Sequence, residues 1–129
     1  MKLILDTHAF IWFGVGDTSK IGKKALVAFS DTNNEIYLSM ASLWEMAIKI
    51  NIGKLKLPVS LEELISKSKT NGIKILPISE SHILAYQNLH LHHADPFDRL
   101  IISSAYSEDY GILTCDDKFK LYENLTIVW

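Results

Sequence analysis

Four acidic residues, Asp6, Glu45, Asp98 and Asp116, occupy positions from which a carboxylate could do chemistry. Asp6 ends the apolar run Lys2-Leu-Ile-Leu-Asp6, and Asp116 follows Leu113-Thr-Cys115. Acids at strand ends also serve as helix N-caps and turn residues, so either one alone is open to both readings. Asp98 falls on one helical face with Ile101, Ile102 and Ala105. An acid on an apolar stripe must be paired, protonated or bound to a cation, because burying a lone charge is costly. As the third residue of its helix, Asp98 could also complete a cap with Asp95, whose own place is explained by N-capping. Glu45 lies in Ala41-Ser-Leu-Trp-Glu-Met-Ala-Ile48, at the border of a buried stripe, with an exposed pairing to Lys49 as the alternative. Carboxylates brought together without a matching set of Cys or His favour Mg2+ or Mn2+ over zinc. Such a site suits phosphodiester hydrolysis by a metal-activated water.

The elements that must carry these acids alternate. Lys2 to Leu5 reads as a strand buried on both faces, and Ala9 to Phe13 opens a helix. A helix follows Ser19, with Ile21, Ala25, Leu26 and Phe29 as its buried stripe. Glu35 to Ser39 is a second strand and Ala41 to Ile50 a helix ending near Gly53. Ser60 and Glu63 form a capping box for a helix that stops at Gly72. Ile73 to Leu76 is a third strand, and Ser79 caps a short helix reaching about Leu89. Asp95-Pro96 starts a helix running through Tyr106, Gly111 to Thr114 is a fourth strand, and Thr126 to Trp129 a fifth. Strands alternating with helices predict an α/β fold with a parallel sheet covered on both faces. In such sheets ligands bind beyond the carboxyl ends of the strands, the level of Asp6 and Asp116.

Composition narrows the class. A chain of 129 residues with 48% hydrophobic and 22% charged residues can form one domain with a core of its own, which excludes disorder and a disulfide scaffold. Thirteen Lys and Arg against fifteen Asp and Glu give a net charge of −2, so no broad basic nucleic-acid face is implied. The lone Cys115 has no disulfide partner, and no apolar run approaches the roughly 18 residues of a membrane span. A cytoplasmic, soluble enzyme-sized domain is expected.

Four stretches give the chain a family resemblance: Leu3-Ile-Leu-Asp-Thr-His8 with Trp12, Ser39-Met-Ala-Ser-Leu-Trp-Glu45, His92-His-Ala-Asp-Pro-Phe-Asp-Arg-Leu100, and Leu113-Thr-Cys-Asp-Asp-Lys-Phe119. Together they resemble the PIN-domain ribonucleases, and within them the VapC-type toxins of type II toxin–antitoxin systems, over essentially the whole chain. The Asp95-Pro-Phe-Asp-Arg99 run is the specific one. The resemblance implies a single PIN-like domain over 1–129, a three-layer α/β/α sandwich whose five-stranded parallel sheet has the order 3-2-1-4-5. It places the acidic site on Asp6, Glu45, Asp98 and Asp116, with Asp6, Asp98 and Asp116 as metal ligands and Thr114 supporting them by hydrogen bonding. It further implies Mg2+, with Mn2+ able to substitute, and RNA cleavage leaving a 5′-phosphate and a 3′-hydroxyl. A homodimer and a cognate VapB-like antitoxin that covers the groove also follow from it.

Other residues carry weaker signals. Asp117 is expected to face solvent beside Asp116. His90, His92 and His93 lack Cys partners and are expected at the site's rim rather than as ligands; His8 reads as a hydrogen-bonded structural residue. Arg99 is a supporting candidate that could neutralise the acids or meet phosphate, or else lie exposed on its helix. Trp12, Phe13 and Trp44 read as core or dimer contacts before base-stacking platforms. The Lys20, Lys23, Lys24 and Lys49, Lys54, Lys56 groups read as solvated faces that could steer phosphates, and Cys115 needs no redox role. Two rival functions remain: a phosphatase or phosphotransferase using Asp6 as nucleophile, and a non-catalytic module whose acids receive a basic peptide.

Overall fold

The computed structural model describes all of residues 1–129. Its centre is β1 (Lys2–Leu5), whose Leu3, Ile4 and Leu5 are fully buried. Successive strand residues point to opposite faces, and the two halves of the core separate accordingly. Leu3 and Leu5 pack with Phe10, Ala25, Leu38, Met46 and Leu64 on one face. Ile4 packs with Leu100, Ile101, Ala105, Ile112 and Phe119 on the other. A strand buried on both sides reads as a continuous apolar run, as this one does.

Around it come α1 (Thr7–Val15), α2 (Lys23–Ser30), β2 (Glu35–Ser39), α3 (Met40–Asn51), α4 (Leu61–Thr70), β3 (Lys74–Leu76), α5 (Glu80–Gln87), α6 (Pro96–Glu108), β4 (Gly111–Leu113) and β5 (Ile127–Val128). All pairings are parallel, and the strand order is β3-β2-β1-β4-β5, the order expected. The architecture is the three-layer α/β/α arrangement that the resemblance implies. Close approach of β4 to β1 requires Gly111, where an added Cβ would lie 2.8 Å from Leu3 Cδ2 and 3.3 Å from the Thr126 carbonyl oxygen.

Two local expectations fail. The helix expected directly after Ser19 starts only at Lys23, because Thr18–Lys20 closes a short 3-10 turn and Gly22 takes the N-cap position. At the start of α4 the Ser60 hydroxyl accepts the Glu63 N–H at 3.1 Å, but the exposed Glu63 side chain does not return the bond. The reciprocal capping box forms at α5 instead, between Ser79 and His82. The His82 ring is 1% exposed and lies 2.8 Å from Glu108 Oε1, so its other nitrogen is held against the Ser79 N–H. Gly72, at φ +89°, ends α4 as expected.

Register sets the position of the site. Leu5 pairs with Leu38 on one side and Leu113 on the other, so β1, β2 and β4 end nearly level. The next residues, Asp6, Thr114 and the start of α3, therefore emerge along one edge of the sheet.

Candidate active site

Asp6 leaves β1 and caps α1: its Oδ1 accepts the Ala9 N–H at 2.6 Å, and its Oδ2 accepts the Thr114 hydroxyl. The residue is 4% exposed. Burial pushes its carboxyl above the ordinary range, while the bonds from Thr114 and Ala9 pull it back. Thr114 oxygen in turn accepts the Asp116 N–H at 3.1 Å, so one buried hydroxyl ties the end of β1 to the loop after β4. Asp116 is half-buried and caps a 3-10 turn over Asp117–Leu121, accepting the Lys118 N–H at 2.9 Å. Its neighbour Asp117 is 88% exposed and pairs with Lys120 at 2.9 Å. Capping and a place at the strand ends coexist here: the peptide groups that orient each acid are those of the element it starts.

Glu45 combines the two readings the sequence allowed. It is 4% exposed, yet its Oε2 meets Lys49 Nζ at 2.6 Å one turn along α3. Its Oε1 accepts the Thr7 hydroxyl at 2.6 Å, and Thr7 Oγ1 also lies 2.9 Å from Ser42 Oγ. A hydroxyl has one proton to give. With Thr7 donating to the carboxylate, Ser42 donates to Thr7.

Asp98 is the least satisfied of the four. Its side chain is 17% exposed and turns toward the edge where the others lie. Asp95 Oδ1 accepts the N–H groups of Phe97 at 2.9 Å and Asp98 at 3.1 Å, which is the N-cap of α6. The Asp98 carboxylate gains no comparable bond; the basic side chain near it, His93, stops at 3.7 Å. Desolvation, reinforced by the charges of Asp95, Glu45, Asp6 and Asp116, pushes its carboxyl up from 3.8 to about 7. The charges of these four other acids therefore all bear on this one group.

No three acidic, His or Cys side chains converge closely enough to share an ion as they stand. Each of Asp6, Glu45 and Asp116 is turned to its own partner, respectively Thr114, Lys49 and Lys118 N–H. The donor set is nonetheless all oxygen, which fits Mg2+ or Mn2+, and Mg2+ keeps several waters and needs few direct protein ligands. Lys49 already compensates Glu45; Asp6, Asp98 and Asp116 have no such amine and are the groups that would hold the ion.

Arg99 answers to neither expectation. It is 6% exposed and faces away from the acids, its Nη1 donating to the carbonyls of His90 at 3.0 Å and His93 at 3.3 Å and to Tyr122 Oη at 3.0 Å. The following residues of an α-helix point about 100° apart, so Asp98 and Arg99 necessarily address different surroundings. His8 also departs from expectation: it is exposed and rests against the Trp12 ring at 5.9 Å rather than in a structural hydrogen bond. Phe13 stacks on Phe29 at 3.9 Å, and Trp12 meets Trp129 edge-on. Trp44 is 58% exposed, with its ring edge-on to Phe97 at 5.3 Å. His90 and His92 are exposed, whereas His93 is drawn inward. A concavity of about 530 Å3 opens beside His90, His92 and Tyr122 and is lined by none of the four acids.

Thr7, Ser42 and Tyr122 escape sequence reasoning. Thr7 follows Asp6 directly, but nothing local connects it to Glu45, 38 positions on. Tyr122 sits in a segment without periodicity, and only the folded chain brings it to His93 and Arg99.

Solved structures share this fold. VapBC2 from Rickettsia felis, bound to a DNA fragment from its promoter, is similar over 98% of this chain and 97% of that chain, with a TM-score of 0.71 and 22% identity. DNA-bound VapBC from Salmonella typhimurium matches over 98% of this chain and 96% of that one, at 0.69 and 17% identity. FitAcB from Neisseria gonorrhoeae matches over 97% and 95%, at 0.57 and 15% identity. No curated protein matches the sequence. At these identities the likeness speaks for the fold. The PIN domain model, by contrast, matches the sequence itself over residues 3–125, a span that carries all four acids from the end of β1 to the loop after β4, and by that match the chain belongs to the PIN domain family.

Proposed function

We propose that residues 1–129 work as one domain, a Mg2+-dependent endoribonuclease that is the VapC-type toxin of a toxin–antitoxin pair in the cytoplasm. The observation that carries this reading is Asp98: a carboxylate mostly removed from water, without a donor of its own, and crowded by four other acids. Such a group is tolerable in its charged form only with a cation beside it. Asp6, Asp98 and Asp116 are assigned to hold the metal, and Glu45 to act beside them through its Thr7 and Lys49 contacts. A bound Mg2+ or Mn2+ supplies the charge that makes water nucleophilic at neutral pH and stabilises the phosphoryl oxygens. Thr114 aims Asp6 and favours its charged form against the effect of burial, and Asp95 fixes the first turn of α6 on which Asp98 rides. RNA would be cut to leave a 5′-phosphate and a 3′-hydroxyl. The likeness to VapBC structures supports a VapB-like antitoxin as partner. A homodimeric toxin belongs to the same proposal.

The rival reading is a phosphatase that uses Asp6, whose oxygens accept the Ala9 N–H and the Thr114 hydroxyl, as its nucleophile. The test is cleavage of an RNA oligomer titrated with Mn2+ and Mg2+. Metal-dependent scission that Asp98→Asn abolishes, in a variant that keeps its fold, is the expected result. A protein that becomes phosphorylated instead, or one inert at every metal concentration, would refute the reading in favour of the phosphatase or the binding module.

A further inference from the structure

His93 is the one side chain with a buried, unpartnered polar atom: its Nε2 has no hydrogen-bond partner. The side chain is 7% exposed, and Nε2 stands 3.7 Å from Asp98 Oδ2. Its other nitrogen, Nδ1, lies 2.8 Å from Tyr122 Oη. Tyr122 in turn receives the Arg99 Nη1–H at 3.0 Å.

One proton arrangement gives the phenol O–H an acceptor along this chain. Arg99 has only donors, so Tyr122 oxygen must accept from it. The phenol then has one proton to place, and Nδ1 of His93 is the acceptor beside it. With Nδ1 accepting, the ring's proton sits on Nε2. That nitrogen lies 3.7 Å from Asp98 Oδ2, too far for a hydrogen bond as it stands and close enough to make one with a small rotation of either side chain. Ring position is fixed from several sides: Tyr122 at 5.5 Å and Phe119 at 6.4 Å between ring centroids, and the backbone by Arg99, which holds the carbonyls of His90 and His93. Arg99 and Asp98 leave the same turn of α6, so the relay starts and ends on one helix.

We propose that His93 is a positioning residue for Asp98, presenting its Nε2–H to Oδ2 and leaving Oδ1 to face the metal. This rests on the metal-dependent nuclease reading above and assigns the carboxylate's orientation to a partner outside the acidic cluster. Outer-shell hydrogen bonds of this kind set the direction and basicity of a metal-binding side chain, and their loss typically costs roughly 10–100-fold in metal affinity.

Two substitutions separate the halves of the ring. In His93→Asn the side-chain amide falls where Nδ1 was and keeps the Tyr122 contact while leaving Asp98 without a partner. In His93→Gln the longer amide carries an N–H to the Nε2 position. Mn2+ binding to RNA-free protein, read from the electron paramagnetic resonance signal of free Mn2+, should weaken about 10–100-fold in His93→Asn and stay within roughly threefold of wild type in His93→Gln. Cleavage kcat should follow the same order with KM for RNA little changed. Tyr122→Phe keeps the ring packing but frees the His93 tautomer, and a loss between those two extremes is expected. His93→Asn binding Mn2+ as tightly as wild type would overturn the proposal, as would His93→Gln binding no better than His93→Asn. Should His93→Asn fail to fold by circular dichroism, wild-type affinity in Tyr122→Phe overturns it equally. A wild-type protein that takes up Mn2+ and cuts RNA, beside an indifferent His93→Asn, sinks this inference alone; a wild-type protein that binds no Mn2+ sinks the nuclease reading with it.

Discussion

Replacing Asp98 with asparagine is expected to stabilise the metal-free protein at neutral pH even as it removes activity. The fold holds this carboxyl at about 7 against 3.8, chiefly because burial disfavours its charge. At roughly 1.4 kcal/mol per tenfold change in proton affinity, that difference corresponds to about 4 kcal/mol of folding free energy. Solvent still reaches 17% of the side chain, and screening there reduces the expected effect to about 2 kcal/mol. The sign follows from which state holds the proton. Below about pH 3 the carboxyl is neutral whether the chain is folded or not, and no stability is lost. As pH rises from 3.8 to about 7 the unfolded chain releases its proton first, so wild-type stability falls; above that the loss is complete. Asparagine carries no such proton. Urea unfolding with excess chelator at about pH 3 and about pH 8 should therefore show the two proteins nearly level at the acid end and the variant ahead by about 2 kcal/mol at the alkaline end. Mn2+ should then raise the wild-type midpoint and leave the variant's almost unchanged. Equal stability of the two proteins at alkaline pH, or a variant less stable there, would refute the claim that Asp98 is an uncompensated buried charge.

Two further substitutions probe the surroundings. Thr7→Val keeps the volume but removes the proton given to Glu45, leaving a carboxylate that is 4% exposed with Lys49 alone; a stability loss of about 1–3 kcal/mol in urea and slower RNA cleavage are expected. Arg99→Lys keeps the charge but loses the planar guanidinium that lies over the Tyr86 ring at 5.1 Å while its Nη1 reaches the His90 and His93 carbonyls and Tyr122; a loss of about 2–3 kcal/mol is expected, with faster amide exchange over residues 90–93.

The sheet was legible because its strands are buried on both faces, and a short apolar run such as Leu3-Ile-Leu5 has few other uses. Asp6 and Asp116 were legible for the same reason, as acids at the ends of such runs. Glu45 and Asp98 showed themselves by interrupting apolar helical stripes. Arg99 misled, because a basic residue next to a site acid suggests a pairing that helix geometry forbids; its partners lie in the preceding loop and in Tyr122, 23 positions on. The capping box misled differently. Ser60 and Glu63 have the right spacing, but an exposed glutamate is well served by water, whereas the buried His82 ring has nowhere else to turn.

Periodicity and interruption are properties of neighbouring residues, and they were enough to set the parallel α/β architecture and to single out the four acids. Local contacts such as Lys49–Glu45 and Ala9–Asp6 hold some of those acids in part, but the rest of their surroundings depends on hydrogen bonds between residues 23 to 108 positions apart, from Arg99–Tyr122 to Thr114–Asp6. Those pairings exist only once parallel strands end level and bring distant loops to one edge. The energy of a buried charge is set by what surrounds it in space, so the isolation of Asp98 and the partner offered by His93 were decided by the tertiary structure alone.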